Sequence, residues 1–139
     1  MFLMDTPALS EPPRRAPAPG LRRFIDSTPS QLLFTSVIVV GELYKGAEGH
    51  PEMAQRARLL LWVTGEVLPQ FAGRILDVSQ DVSERWGAIC GQAIRRGATL
   101  PPIDALIAAT ALVHGLTVVT RNEADFVRCG APVRNPWRE

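Results

Sequence analysis

Short apolar runs alternate with helical segments along this chain, and that alternation narrows the fold more than any other feature. Met1–Met4, Gln31–Thr35, Arg74–Val78 and Leu116–Thr120 read as strands, and Pro132–Val133 as a small edge strand. Between them lie apolar residues at helical spacing: Leu21–Asp26, Val37 to about Ala47, Pro51–Leu68, Ser79–Arg96, Ile103–His114 and Asn122–Val127. Strands that are apolar at nearly every position are buried on both faces. The expectation is therefore an α/β protein, three layers α/β/α, with a mainly parallel central sheet of four to five strands. Ligands of such sheets bind where strands end at their carboxyl edge. Chain length allows one domain, residues 1–139.

Local punctuation supports this division. Ser36 and Ser79 stand where they can cap the helices that follow, and Gly49, Gly97 and Gly115 stand where helices stop. Prolines at 12, 13, 17 and 19 prevent one regular helix across Pro7–Gly20. A helical turn near Pro7–Glu11 and an irregular crossing fit there.

Composition excludes several classes of function. The longest apolar run, around Val37–Val40, is far below the roughly 20 residues of a membrane span, and the beginning of the chain lacks the pattern of a signal peptide. A cytoplasmic protein without membrane contact is expected. Cys90 and Cys129 are the only cysteines and His50 and His114 the only histidines. A metal would thus be held mainly by carboxylate oxygen, which suits a hard cation such as Mg2+ or Mn2+. The net charge of +1 neither announces nor excludes nucleic acid.

The acids carry the chemistry. Asp5 directly follows the first strand, either as a turn former bonding to nearby amides or at a ligand-binding edge. Glu42 sits on a helix that is apolar on nearly every side. A carboxylate there is partly buried and needs a cation, with Lys45 or an arginine as the ordinary ion-pair alternative. Asp104 opens its helix, where it gains about 0.3 to 1 kcal/mol from the dipole, yet Ile107, Ala108 and Ala111 continue its face along an apolar stripe. Asn122 and Asp125 are spaced either as a capping pair or as the rim of a pocket, touching a metal through water. Gathered carboxylates repel, and a divalent cation relieves that repulsion, polarises a phosphodiester and activates water. The Gly-x-Gly-x-x-Gly and P-loop patterns are absent, as is a Ser, His and Asp set. An aspartate-based phosphotransferase wants a second Asp and a Lys close by. Here Asp26 is remote, and Lys45 lies on the Glu42 helix.

Met1-Phe2-Leu3-Met4-Asp5-Thr6 with Ser10-Glu11, Ser36 to Leu43, Asp104 to Ala111, and Val119-Thr120-Arg121-Asn122 with Asp125-Phe126 together resemble the PIN-domain toxins of the VapC type. Val67 to Arg74 and Asn135-Pro136-Trp137 resemble the FitB-like branch. The similarity runs over nearly the whole chain in the family's order. It implies a PIN-like fold and an endoribonuclease dependent on Mg2+ or Mn2+, the toxin of a type II toxin–antitoxin pair.

The family's metal ligands fall on Asp5 and Asp104, its third acid on Glu42, and its weaker fourth position on Asn122 or Asp125. Glu42 would orient a water or help bind a second cation. Thr6 would bond a phosphate or a carboxylate, with a plain turn role as the alternative, and Arg121 would touch the RNA backbone, with a solvated surface role as the alternative. The resemblance also implies a homodimer, a cognate antitoxin, and contact with DNA only through that antitoxin. Two departures stand out: Pro7 where many relatives have Asn, and Asn122 where FitB-like relatives often have Asp. They favour an alternative, a catalytically weak PIN domain that serves as a binding partner in a DNA-bound antitoxin complex.

Overall fold

In the computed structural model, which describes all 139 residues, five parallel strands form one sheet in the order β3-β2-β1-β4-β5. They are β1 (Phe2–Met4), β2 (Leu33–Ser36), β3 (Ile75–Leu76), β4 (Thr117–Val119) and β5 (Val133–Arg134). Successive side chains of a strand face opposite sides of the sheet. Leu3 and Met4 on β1 and Val118 and Val119 on β4 are all inaccessible to solvent, so both faces are covered. This is the three-layer arrangement expected from the apolar strands.

The helices are α1 (Thr6–Ser10), α2 (Pro19–Ser27), α3 (Val37–Glu48), α4 (Met53–Trp62), α5 (Leu68–Gln70), α6 (Gln80–Arg95), α7 (Pro102–His114) and α8 (Glu123–Arg128). Ser36 caps α3 by accepting from the Val39 amide, and Ser79 caps α6 by accepting from Val82. Gly115 ends α7 in a left-handed conformation, φ 66°, which costs glycine little. No helix is long and apolar enough to cross a membrane.

Two expected elements come out differently. The single helix over Pro51–Leu68 is α4, a π turn at Val63–Val67 and the short α5. Pro69 supplies no N–H and its ring crowds the carbonyl four residues earlier. The widened turn absorbs that, and the Leu68 amide donates to the Val63 carbonyl five residues back. The third strand is two residues rather than Arg74–Val78. Its one neighbour, β2, ends at Ser36 to cap α3, so nothing remains for Asp77 and Val78 to pair with.

Strand order positions the site. From β1 the chain moves outward to β2 and β3, then crosses back through α6 and α7 to β4 on the other side of β1. The order therefore reverses between β1 and β4, and a crevice opens beyond their carboxyl ends. Met4 pairs with Val119, and the Asp5 amide extends that ladder to the Val119 carbonyl at 3.2 Å. Asp5 and Thr120 emerge side by side there.

Candidate active site

Asp5 is 5% exposed. Its Oδ1 accepts from the Thr6 amide at 2.8 Å and its Oδ2 from the Thr120 hydroxyl at 2.7 Å. The turn role foreseen for Asp5 is thus real and coexists with its place at the crevice. Burial pushes its carboxyl above the ordinary value. The two hydrogen bonds oppose that rise, and the nearby Glu42 carboxylate adds to it.

Glu42 reaches the same place from α3. The Thr6 hydroxyl donates to its Oε1 at 2.9 Å, so Thr6 joins the two acids with its amide and its hydroxyl. Among the expectations for Thr6, the structure realises the bond to a carboxylate. Neither Lys45 nor any arginine pairs with Glu42.

Asp104 enters from the first turn of α7, half-buried. Its carboxyl is pushed up to about 6, first by burial and then by the charges of Asp5, Asp125 and Glu42. Four acids from separate parts of the chain therefore share one electrostatic environment. Asn122 does not cap α8 with its side chain. Its amide instead donates to Asp104 Oδ2 at 3.2 Å and to Asp125 Oδ2 at 2.7 Å, pinning two carboxylates that would otherwise repel. Asp125 is also paired with Arg128. The Asn122 bond, then the Arg128 bond, holds its carboxyl below the ordinary range. The capping-pair reading of Asn122 and Asp125 thus gives way to a bridge at the rim.

Asp5, Glu42 and Asp104 supply hard oxygen donors and carry negative charge with no cationic side chain paired to them. Such a set fits Mg2+ or Mn2+ in kind. As the side chains stand, no three acidic, histidine or cysteine groups are drawn tightly enough to enclose an ion. Direct ligation by all three would need them to move inward, and water can span what remains.

The PIN-domain family model matches residues 3–131. The chain belongs to the PIN-domain family. This PIN domain is 34% identical over 137 residues to the VapC ribonuclease Y4jK of Sinorhizobium fredii, covering 99% of this chain and 98% of that protein. It is also 34% identical over 143 residues to the toxin FitB of Neisseria gonorrhoeae, with both chains covered in full. Among solved structures it superposes on FitAB bound to an IR36 DNA fragment with a TM-score of 0.89 at 33% identity, covering 99% of this chain and 96% of that one.

Two residues of this PIN domain that sequence reasoning gave no role hold the site together. Thr120 donates to Asp5 while its oxygen accepts from the Asn122 amide at 3.1 Å, linking the end of β4 to both acids and rim. Glu11 accepts from the Ala18 amide at 3.1 Å, from the Trp137 indole at 2.8 Å and from Arg121 at 3.0 Å. The Arg121 guanidinium also lies 5.4 Å from the centre of the Trp137 ring. Arg121, expected on the RNA backbone, is therefore engaged in anchoring the β4–α8 loop. For Thr120 the signal was a polar residue directly after the apolar strand, inside the Val119-Thr120-Arg121-Asn122 motif. Glu11 stood in the resemblance beside Ser10, but nothing local pointed to its partners, which lie 7, 110 and 126 residues away.

Proposed function

We propose that this PIN domain is an endoribonuclease dependent on Mg2+ or Mn2+ and the toxin of a type II toxin–antitoxin pair. One observation carries the reading: Asp5, Glu42, Asp104 and Asp125, from separate elements, are drawn together at the sheet's switch point, the first pair through Thr6 and the second through Asn122, with no cationic side chain paired to the first three. Relatives named as a VapC ribonuclease and as the toxin FitB support the reaction class and the biological role.

Asp5 and Asp104 would hold the cation, Glu42 would orient the attacking water, and Asn122 with Asp125 would complete the shell. A divalent cation in this cup would polarise the phosphodiester and lower the pKa of bound water. Asp5 suits its task because Thr120 and Thr6 fix both its oxygens before any ligand arrives. Glu42 is held by Thr6 alone among side-chain partners, which leaves Oε2 free to accept a proton from water. Asn122 keeps Asp104 turned toward the rim. Water would attack the phosphorus in line, its oxygen forming the new P–O bond as the bond to one ribose oxygen breaks and that oxygen leaves as an alcohol after taking up a proton, with no covalent enzyme intermediate.

The same reading includes a homodimer, a cytoplasmic location and a cognate antitoxin through which DNA is reached. The FitAB complex on DNA is the precedent for that last point. Purified protein should cut single-stranded RNA with Mn2+ and leave it intact in EDTA. Equal cleavage in both would overturn the proposal. One observation favours the alternative of a catalytically weak binding partner: Asn122 already satisfies two carboxylates, so the rim carries an amide where another acid would add affinity for a cation. Tight antitoxin and DNA binding with no cleavage at saturating Mn2+ would decide for it.

A further inference from the structure

One cleft of the fold is walled by an acid of the cup. It has a volume of about 270 Å3 and runs between α3 and the start of α7, lined by Val37, Ile38, Gly41, Glu42, Lys45 and Ile103. The five α3 residues fall on one helical face. Ile103, on the opposite wall, immediately precedes Asp104 and is 42% exposed, a large apolar side chain left open beside charged groups. Gly41 leaves the middle of the cleft open, since a Cβ there would meet no atom within 4 Å.

Lys45 closes the far end. It is exposed and pairs with no carboxylate, although Glu42 stands three residues earlier, a spacing at which opposite charges commonly meet. Glu42 takes the Thr6 hydroxyl instead. The ammonium is thus kept one helical turn from the cup, with an apolar-walled cleft between them. An anion that continues beyond the reacting centre, with a flat apolar group between its charges, matches that order of features.

We propose that this cleft is a nucleotide subsite for single-stranded RNA: Lys45 takes the phosphate next to the one being cut, and Ile38 and Ile103 receive the base between them. The proposal rests on the ribonuclease reading above and deepens it. Lys45 is a binding residue here, remote from the reacting atoms. The ordinary role for a lysine in the last turn of α3 is to complement the helix dipole, and that role makes a different prediction.

The test uses the full chain with a fluorescein-labelled single-stranded oligoribonucleotide. Anisotropy in EDTA across a salt series gives binding, and cleavage with Mn2+ gives kcat and KM. Lys45→Gln should raise Kd and KM by about 5- to 10-fold at about 0.1 M salt, and flatten the salt dependence of log Kd by about 0.7. Its kcat should move far less. Lys45→Arg should restore both, and Ile103→Ala should raise KM with the salt slope unchanged. An unchanged slope and KM in Lys45→Gln would overturn the subsite, as would a lowered thermal midpoint as its only effect. If the wild-type chain neither binds nor cuts RNA, the ribonuclease reading itself fails and takes the subsite with it. Wild-type binding and cleavage with an indifferent Lys45→Gln sinks the subsite alone.

Discussion

Thr6 donates its hydroxyl to Glu42 across 2.9 Å, spanning 36 residues of chain, while its amide holds Asp5. A small residue opening a one-turn helix thereby fixes the relative position of two carboxylates from different elements. Thr6→Val keeps the shape and the amide but removes the hydroxyl. Glu42 would be free to rotate, and kcat should fall about 10- to 100-fold, the range for a displaced catalytic group, with KM for RNA little changed. Cleavage kinetics with Mn2+ would check this.

Asp5→Asn should abolish Mn2+-dependent cleavage, by about 1,000-fold or more if the acid both binds the cation and shapes the reacting centre. The folded state should survive, because burial already disfavours the charged form of Asp5. Circular dichroism and a thermal melt would verify folding. Full activity in a folded variant would remove Asp5 from the mechanism.

Asp104 sets a pH dependence with a definite sign. Its carboxyl rises from 3.8 to about 6 on folding. Between those values the folded chain binds more protons than the unfolded one, so metal-free stability decreases as pH climbs through that window. Asp104→Asn should show a smaller decrease, measurable as thermal midpoints at about pH 4 and about pH 7. A cation must displace the proton, so the Mn2+ concentration for half-maximal activity should rise by about tenfold per unit below about pH 6.

Thr120→Val removes the donor that satisfies Oδ2 of the buried Asp5. An unsatisfied buried acceptor costs about 1 to 3 kcal/mol. A urea titration should show that loss in the midpoint with little change in slope.

Glu11→Ala should cost about 2 to 4 kcal/mol, because three donors lose a shared acceptor. Glu11→Gln keeps one oxygen for the Ala18 amide and the Trp137 indole but loses the acceptor and the charge opposite Arg121, so it should sit between the two. Chemical denaturation followed by tryptophan fluorescence would rank the three proteins.

The contrast between Asp5 and Glu11 explains what could be read in advance. Asp5 lies immediately after an apolar strand, and Glu42 and Asp104 lie on apolar helix faces, so a local pattern marks each as an acid in an unusual place. Glu11 sits in a proline-rich stretch whose geometry no periodicity dictates. Asn122 and Asp125 have the spacing of a capping pair, and propensity favours that reading. The Asn122 side chain donates instead to carboxylates from α7 and α8, charged acceptors that a helix N-terminus, which offers only N–H donors, does not supply.

The alternation of apolar strands with amphipathic helices fixed the α/β class, because burial of each segment depends on residues close in sequence. The serine and glycine boundaries followed for the same reason. Tertiary structure alone decided the strand order, hence the reversal between β1 and β4 that sets Asp5 beside Thr120. It also decided that Glu42 would meet Thr6 rather than Lys45, and that Arg121 would serve Glu11 and Trp137. Those contacts join residues distant along the chain, and which donor meets which acceptor is settled only when the sheet's register brings them within hydrogen-bond reach.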